Sequence, residues 1–554
     1  MKLNNIFSKK TFVLLASSLA LCSCSDFLTR DHPTGVTDND FWKTTDECYA
    51  ALNQCKYWPT GTMNYQNPGL HYVHMEGMTD NMYWNGNYCN DITNIGNGSL
   101  TSSTGGWGGG YVKAVWSEFY VRIRRCCRLL EHLDGAYFIK ENERERVRAE
   151  AITWRAWYHM QLLLYYGRHD GIPIVTESLS GEAIYKDRNS VEECLDFVNK
   201  EFDKVLAINN DEVFPFLWDE DRRDRMCKAY VHTLKMDLNF QFKRYDIAKA
   251  SAQVIMDSGK FNLYYTSNTD DDPSKNYRDL FRYVGQKNDE RIMFRNSGCT
   301  EVWARNCPAS LSGQGAAGVL KSFVDTYETA DGRPLSALSP EERQKAERAP
   351  KSIARDPRLY VTLICDGDAP FDNFVFKPFE QGSADLVGKS GACPTGFILK
   401  KFLNQEDRSH PWSGSLYFPL YRYAEVLLNY VECLVETGDW QNPDVEKYIN
   451  MIRNRAGMPN MDKSIYNSQE KVRELYRRER RVELAFEGKR YWDIRRWGIG
   501  NEVMSGQVYG AWNPSVNAFY AVEERNCTFP KYDSWPISLT EETANPNISQ
   551  PQGW

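Results

Sequence analysis

The chain has 554 residues, of which 42% are hydrophobic and 25% are charged, and its formal net charge is -7. This length and composition are typical of a globular protein with one large domain or a few smaller ones. The slightly acidic balance disfavours a nucleic-acid-binding surface, because phosphate binding requires an excess of lysine and arginine. Beyond the N-terminal segment, no apolar run in the sequence is long enough to span a bilayer.

The N-terminal segment has the three parts of a secretory signal peptide: early lysines, an apolar run over residues 12–22, and small residues at the cleavage position. The tetrad LCSC, residues 21–24, is similar to a bacterial lipobox. That similarity implies cleavage before Cys24 and lipid attachment to its sulfur. The alternative is an ordinary signal peptide in which the cysteine stands by chance. We expect residues 1–23 to be removed and residues 24–38 to form a lipidated tether.

Helical patterning dominates from residue 39 to about residue 260. The stretch DNDFWKTTDECYAALNQCKY begins with cap candidates and then places apolar residues at helical spacing. Ser190 is the expected N-cap of one helix, and Gly259 stands where another should end. The helices that the spacing predicts cover residues 111–133, 143–166, 191–208, 225–242 and 245–258.

The middle of the chain, about residues 262–414, has no sustained period and is rich in loop-forming residues. Short strands are predicted in RIMFRNSG, DNFVFKPF and GFILKKFL. A tail over about residues 501–554 is predicted to be irregular. The later helices cover residues 421–436 and 445–456, followed by one that Ser468 caps and that runs to about Glu487.

Two predicted helical hairpins, residues 225–258 and 421–456, each have about the length of a tetratricopeptide unit, roughly 34 residues. Because the copies are not contiguous, we predict helical pairs packed together and not an extended solenoid. The predicted fold class is mainly α, with tetratricopeptide-like helical hairpins packed as one scaffold and an irregular loop-rich region carrying short strands. One domain, residues 39–554, would contain the scaffold in residues 39–260 and 415–500.

The cysteines and the absent motifs limit the chemistry. Fifteen cysteines are present, and removal of Cys22 with the signal peptide and of Cys24 by lipidation leaves an odd number, so obligatory disulfides are not expected. The sequence has no two CxxC pairs, no HExxH and no GxSxG, and it offers no nucleophile with a positioned base. We expect no cofactor, no metal site and no enzymatic activity.

Three glutamates, Glu479, Glu483 and Glu487, are spaced at i, i+4 and i+8 and would share one helix face. Glu479 also falls near an apolar stripe, where an unpaired carboxylate is costly. We interpret this face as a structural ion-pair network and not as a catalytic dyad. The partners expected from their proximity in sequence are Arg473, Arg477, Arg478, Arg480 and Arg481.

The most promising stretch for ligand binding is residues 78–111, MTDNMYWNGNYCNDITNIGNGSLTSSTGGWGGGY. Its Gly and Asn content indicates a loop, and its aromatics have no period that would bury them. Sugar rings stack their C–H faces on aromatic planes, and amides both donate and accept hydrogen bonds. Alternatively, the aromatics pack against the loop itself and the asparagines serve turns. The candidate ligand-binding residues here are Asp80, Asn81, Tyr83, Trp84, Asn85, Tyr88 and Trp107.

Several blocks resemble the SusD/RagB family of outer-membrane nutrient-binding lipoproteins. The most specific are ERRVELAFEGKRYWDIRRWG and NPNISQPQGW. One departure concerns location, since family members exported to the cell surface often carry clustered acidic residues after the lipidated cysteine, and here only Asp26 is near, with Asp31 further on. The other blocks that carry the resemblance are CSDFL, YRYAEVLLNYVECLVETGD, INMIRNRAGMP and WPISLTEETANPNISQPQGW.

The resemblance implies a non-catalytic lipoprotein, anchored in the outer membrane and facing the cell exterior. Such a protein captures oligosaccharides and delivers them to a SusC-like TonB-dependent transporter. The resemblance also implies four tetratricopeptide-like helical pairs, and a ligand site built from the loop above and a segment in mid-chain. The positional counterpart of that segment is RNSGCTEVWARNC, residues 295–307, which adds Glu301, Trp303 and Arg305 to the candidates.

Two alternative functions stay open at this point. One is a peptide-binding receptor of the RagB kind, which the same resemblance allows. The other is a lipid-anchored glycoside hydrolase, which needs two carboxylates about 5 to 9 Å apart in a cleft. Asp80 with Glu301 is the only pair that the sequence offers for that role.

Overall fold

The computed structural model describes residues 41–61, 70–85, 90–103, 111–267, 272–371 and 373–554. Within those ranges, none of the helices combines the length and the apolar character that crossing a bilayer requires. The predicted signal peptide and tether, with Cys24, lie outside the described residues, as do Tyr88 and Trp107.

Helices make up much of the first half of the described chain, as the helical spacing predicts. The helices of this half, long and short, are α1 (Thr45–Cys55), α2 (Tyr72–Met75), α3 (Asn90–Asn97), α4 (Tyr111–His132), α5 (Glu141–Tyr166), α6 (Val191–Leu206), α7 (Lys228–Gln241) and α8 (Tyr245–Asp257). The hydroxyl of Ser190 accepts from the backbone N–H of Glu193, whose carboxylate accepts from the Ser190 N–H in return. This capping box satisfies two backbone donors at the start of α6 and confirms Ser190 as its N-cap.

Both of the predicted helical hairpins are present in the scaffold. The first is α7 with α8, and Gly259 follows it with a φ of +62°, a left-handed conformation that ends a helix and favours glycine. The second is α14 (Tyr423–Glu436) with α15 (Pro443–Arg455), and α14 packs directly against α8. The prediction of helical pairs packed together is confirmed.

Most of the short strands lie in the middle of the chain, and one lies before them. β1 (Met82–Trp84), β3 (Ala317–Val319), β4 (Leu363–Ile364) and β5 (Ile398–Leu399) form an antiparallel sheet in the order β1-β3-β5-β4, and β2 (Arg291–Arg295) pairs with β6 (Phe418–Arg422). The helices between these strands are α9 (Ser274–Leu280), α10 (Val302–Asn306), α11 (Lys321–Val324), α12 (Pro340–Arg348) and α13 (Pro357–Thr362).

Strands β2 and β5 confirm the predictions in RIMFRNSG and GFILKKFL. The strand predicted in DNFVFKPF is wrong, because residues 373–379 form a loop. Phe376 is buried there, and its backbone bonds to the turn at Gly367 and Asp368 and not to a neighbouring strand. Two aromatic side chains of that segment, Phe376 and Phe379, are buried although the segment belongs to no sheet.

The last part of the chain differs from prediction in two ways. Helix α16 (Gln469–Glu483), capped by Ser468 as predicted, ends before Glu487, because Phe486 has a φ of +60°, outside the helical region. The predicted irregular tail contains an antiparallel hairpin, β7 (Ser505–Asn513) with β8 (Ala518–Asn526). The turn residues NPSVN separate two aromatic-containing runs, which is a hairpin signal. The remaining helices are α17 (Arg490–Trp497), α18 (Gly500–Val503) and α19 (Leu539–Ala544).

The closing block of the chain is held against the N-terminal helices. Trp535 is buried, its ring centre lies 4.2 Å from that of Tyr165 on α5, and its backbone N–H donates to the Tyr165 carbonyl. The hydrophobic core therefore runs from the first helices to the C-terminal tail. The twelve cysteines within the described ranges are free and buried, and act as small core residues.

The predicted ion-pair network exists, but its partners differ from those expected. Glu479 bonds to Arg358 at 2.5 Å and to Arg453 at 3.1 Å. Glu487, in the turn after α16, bonds to Arg422 and Lys401. These cations belong to other elements of the fold.

The arginines near these glutamates in sequence pair with other carboxylates. Arg473 and Arg477 face Glu436, Arg478 pairs with Glu328, Arg480 with Asp493, and Arg481 with Asp80. Spacing along a helix predicts which residues share a face, but it does not predict what packs against that face.

Candidate functional site

The stretch predicted to be a loop, residues 78–111, is partly regular. Strand β1 and helix α3 lie within it, and Ile92 and Ile95 of α3 are buried. The carboxylate of Asp91 accepts from the backbone N–H of Val112 at 2.9 Å, at the start of α4. The expectation of a continuous loop is therefore corrected, because two isoleucines at helical spacing suffice to hold α3 on the core.

Asp80 is buried in ion pairs and does not face solvent. Its carboxylate accepts from Nε and Nη2 of Arg490 at 2.8 and 2.9 Å and lies 2.9 Å from Nη2 of Arg481. Burial alone would raise the pKa of Asp80, but the two guanidinium charges outweigh it and lower the pKa to about 2. The general acid of a glycoside hydrolase needs a raised pKa, so Asp80 does not fit that role.

Asn81 is also engaged inside the protein. Its Nδ2 donates to Oε2 of Glu76 at 2.9 Å, and its Oδ1 accepts from Nε of Arg481 at 2.8 Å. The expectation that Asp80 and Asn81 present free polar groups to a ligand is therefore corrected. The arginines that hold them, Arg481 and Arg490, come from the C-terminal part of the chain, which local sequence does not reveal.

The exposure expected for Trp84 is wrong. Its side chain is 1% exposed, and its ring stacks on that of His74 with centres 4.1 Å apart. Pairing of β1 with β3 fixes the strand so that Trp84 points into the core and Tyr83 points to the opposite face. Tyr83 is half-buried, and burial together with the charge of Glu523 on β8 raises the pKa of its hydroxyl.

Asn85, at the end of β1, is exposed and lies beside the second predicted segment. Its backbone N–H donates to the carbonyl of Ala316 at 3.0 Å, and the N–H of Ala316 donates to the carbonyl of Arg305 at 2.8 Å. Two successive hydrogen bonds thus join Asn85 to Arg305. The structure brings together these parts of the two predicted segments, although they are far apart in the chain.

Within the second segment the three candidates have different environments. Trp303 is 1% exposed and packs on Phe371 with ring centres 5.1 Å apart, so the expectation that its ring is accessible is corrected. Arg305 is buried, and its Nε donates to Oε2 of Glu301 at 2.7 Å, across one turn of α10. This ion pair holds the guanidinium in one orientation.

Sequence reasoning missed one exposed tryptophan. Trp412 is 50% exposed, and the guanidinium carbon of Arg305 lies 5.5 Å from its ring centre. The backbone is held there because the N–H of Ala304 donates to the Pro411 carbonyl at 3.1 Å. Trp412 stands alone in SHPWSGS, an aromatic among turn residues with no period to bury it, and that signal could have found it. We call the exposed Asn85 and Trp412, together with the buried Glu301–Arg305 pair beneath Trp412, the Trp412 surface.

The Trp412 surface offers binding chemistry. An exposed indole presents a flat apolar face, and the amide of Asn85 both donates and accepts hydrogen bonds. His74, which lies beneath, is buried, and burial followed by the positive charge of Arg305 lowers its pKa well below the usual range, so that it is neutral. Across the described parts of the chain, no group of three or more His, Cys, Asp or Glu side chains is arranged to hold a metal ion.

The fold is a scaffold of helical pairs whose loop-rich side carries the half-exposed Trp412. The chain belongs to the SusD family, whose model matches residues 254–554, more than half of its length. A second family model, described as starch-binding associating with outer membrane, matches residues 35–213.

Individual relatives agree with this assignment. SusD-like protein P38 of Formosa agariphila is 23% identical over 544 residues, covering 90% of this chain and 93% of that protein. A SusD-like carbohydrate-binding protein of Bacteroides fragilis is 26% identical with a TM-score of 0.76, covering 92% of this chain and 100% of its own. Another SusD-like structure from Bacteroides fragilis, 23% identical, has a TM-score of 0.76 and covers 94% of this chain and 99% of its own. These likenesses cover nearly the whole chain and support a single SusD-like fold.

Proposed function

We propose that this protein captures oligosaccharides at the outer membrane and delivers them to a SusC-like TonB-dependent transporter without cleaving them. The observation that carries the proposal is the Trp412 surface, where a half-exposed indole lies over a guanidinium that Glu301 holds in place. Family membership and the carbohydrate-binding relative support the ligand class. The site is preformed, so little ordering is needed on binding.

The geometry suits reversible capture. One face of a sugar ring can stack on Trp412, while its hydroxyls exchange hydrogen bonds with the amide of Asn85. A surface of this kind removes little area from water compared with a closed pocket, so affinity stays modest and the ligand can be released. Tyr83 lies on β1, two residues before Asn85, and it is a further proposed contact of this site.

Replacement of Trp412 by alanine is expected to weaken oligosaccharide binding roughly tenfold, because an aromatic stacking contact contributes about 1.4 kcal/mol. The melting temperature should change little, since half of the side chain is already in water. Isothermal titration calorimetry of the mature protein with neutral oligosaccharides measures the effect. Tyr137→Ala, at a position 70% exposed on the helical scaffold, is the control and should bind as wild type does.

The same calorimetry distinguishes the alternatives. Heat released with a peptide pool and none with oligosaccharides would favour a peptide receptor. Reducing ends released during prolonged incubation with oligosaccharides would show hydrolysis and contradict a role limited to binding. Wild-type affinity in Trp412→Ala would remove the Trp412 surface from the proposal.

The lipid anchor is a separate part of the proposal and is supported by sequence, since residues 1–40 lie outside the described structure. Cys24→Ala is expected to abolish incorporation of labelled palmitate and to release the protein from the membrane fraction. Cys22→Ala is the matched control and should keep both the label and the membrane association. Persistent labelling of Cys24→Ala would show that lipid is attached elsewhere.

A further inference from the structure

A second group of aromatic and cationic side chains lies on the C-terminal hairpin. Trp512 on β7 and Phe519 on β8 are register partners, and their ring centres are 5.1 Å apart with planes at 76°. The guanidinium carbon of Arg348, at the end of α12, lies 4.1 Å from the Trp512 ring centre. Nζ of Lys321 lies 4.6 Å from the ring centre of Phe519. We call these four residues the Trp512 ridge.

Open clefts flank the Trp512 ridge on both sides. The first has a volume of about 410 Å³ and runs past Pro350 and Pro514. The second has a volume of about 340 Å³ and runs past Leu338 and Phe519. Both volumes lie in the range of small-molecule sites. Trp512 and Arg348 line both clefts and therefore form the divide between them.

The polar groups in the clefts carry both signs of charge in near balance. The first cleft contains Lys351 and Asp368, which form an ion pair, and Asp366. The second contains Arg343 and Glu347, whose Nε and Oε1 are 2.8 Å apart. Balanced charge provides no general attraction for a polyanion, whereas it provides donors and acceptors for hydroxyl groups.

Arg348 differs from these paired groups. Its side chain is exposed, it stacks on Trp512, and no carboxylate of the described residues pairs with it. An arginine in this state has several N–H donors available in a fixed plane, which suits bidentate hydrogen bonds to adjacent oxygens of a ligand.

The backbone holds the ridge rigidly. The N–H of Ala511 donates to the carbonyl of Thr395 at 2.7 Å, directly before Trp512. At Gly510 a Cβ would lie 2.1 Å from the same carbonyl oxygen, so only glycine permits this approach of β7 to the segment that precedes β5. Trp512 is therefore positioned before any ligand arrives, which lowers the ordering cost of binding.

We propose that the Trp512 ridge and its two clefts form a second saccharide-binding site, for a neutral oligosaccharide, that shares no residue with the Trp412 surface. One sugar ring packs on the exposed part of Trp512, and its neighbours in the chain enter the two clefts. Vicinal hydroxyls there meet Arg348 and the paired carboxylates. The ligand class rests on the proposed function, whereas the location rests on the hairpin geometry alone.

The test is affinity gel electrophoresis of the mature protein in gels containing starch, laminarin, xylan or galactomannan, with alginate and polygalacturonate as acidic probes. In a gel whose neutral polysaccharide slows the wild-type protein, Trp512→Ala and Arg348→Ala are each expected to bind more weakly. The dissociation constant of the protein–polysaccharide complex should rise roughly tenfold. Tyr509→Ala, on the same strand and 43% exposed, lines neither cleft and should migrate as wild type does. Because Arg348 is exposed, its variant keeps the fold even if Trp512→Ala does not.

The outcomes separate the two proposed sites. Wild-type retardation of both Trp512→Ala and Arg348→Ala overturns the second site and leaves the Trp412 surface in place. Unchanged retardation of Trp412→Ala, with loss in Trp512→Ala, overturns the Trp412 surface and supports the ridge. Retardation by the acidic probes alone overturns the assignment to neutral glycans, and retardation by none of the six gels overturns both sites.

Discussion

Replacement of Glu483 by glutamine is expected to lower the free energy of unfolding by about 3–5 kcal/mol, the range for breaking a buried ion pair. Glu483 is fully buried, and its carboxylate accepts from Arg422 at 2.6 Å, from Arg358 at 3.1 Å and from Arg455. Burial would raise its pKa, but the three guanidinium charges hold it well below the usual range. Glutamine removes the negative charge and turns an N–H donor toward arginines that can only donate.

Urea denaturation at pH 7, followed by circular dichroism, measures this loss. Glu474→Gln is the matched control, because Glu474 is exposed on the same helix, and it should change the free energy by no more than about 0.5 kcal/mol. Equal stabilities of Glu483→Gln and the control would contradict a structural role for the network.

Replacement of Asp80 by asparagine is expected to cost about 3 kcal/mol at neutral pH, because Arg481 and Arg490 would keep their charges without the buried anion between them. The loss should depend on pH. The pKa of Asp80 is about 2 in the folded protein, below its ordinary value of 3.8. Its charge therefore stabilises the fold above pH 3.8, and this stabilisation disappears as the pH falls through 2.

The measured quantity is the difference in unfolding free energy between wild type and Asp80→Asn at several pH values. That difference should be constant from pH 7 to pH 5 and should shrink by about 2 kcal/mol as the pH approaches 2, at about 1.4 kcal/mol per pKa unit. Asp211→Asn, at a side chain 83% exposed, controls for loss of a carboxylate and should show neither effect. A difference that grows toward low pH would contradict the sign of the pKa shift.

Several elements of the fold could be predicted because their causes are local. Ser190 caps α6 through a carboxylate three residues away, and Gly259 ends α8 through its own left-handed backbone. The C-terminal hairpin was not predicted even though NPSVN is a turn signal, because irregularities in the register interrupt the pairing of its two strands. The predicted end of α16 was wrong because a single positive φ at Phe486, which no side-chain period reveals, ends the helix before Glu487.

The structure joins parts of the two segments predicted for the candidate site, but several of the predicted side chains lie in the interior. Two backbone hydrogen bonds through Ala316 join Asn85 to Arg305. The prediction that Trp84 is accessible fails, because β-pairing turns its ring inward. Trp412 was not predicted as a site residue. Its ring packs over Arg305, but the two residues are more than 100 positions apart in the chain.

The amino-acid sequence by itself determined the helical pairs, their caps, the membership in the SusD family and the presence of a charged face on α16. These properties depend on residues within a turn or two of one another, or on blocks of sequence that resemble the family and can be read directly. Only the tertiary structure decided which arginine meets which glutamate and which tryptophan faces solvent. The pairing of Arg358 with Glu479 spans 121 residues, and burial of this kind is a property of the packed chain that no local pattern contains.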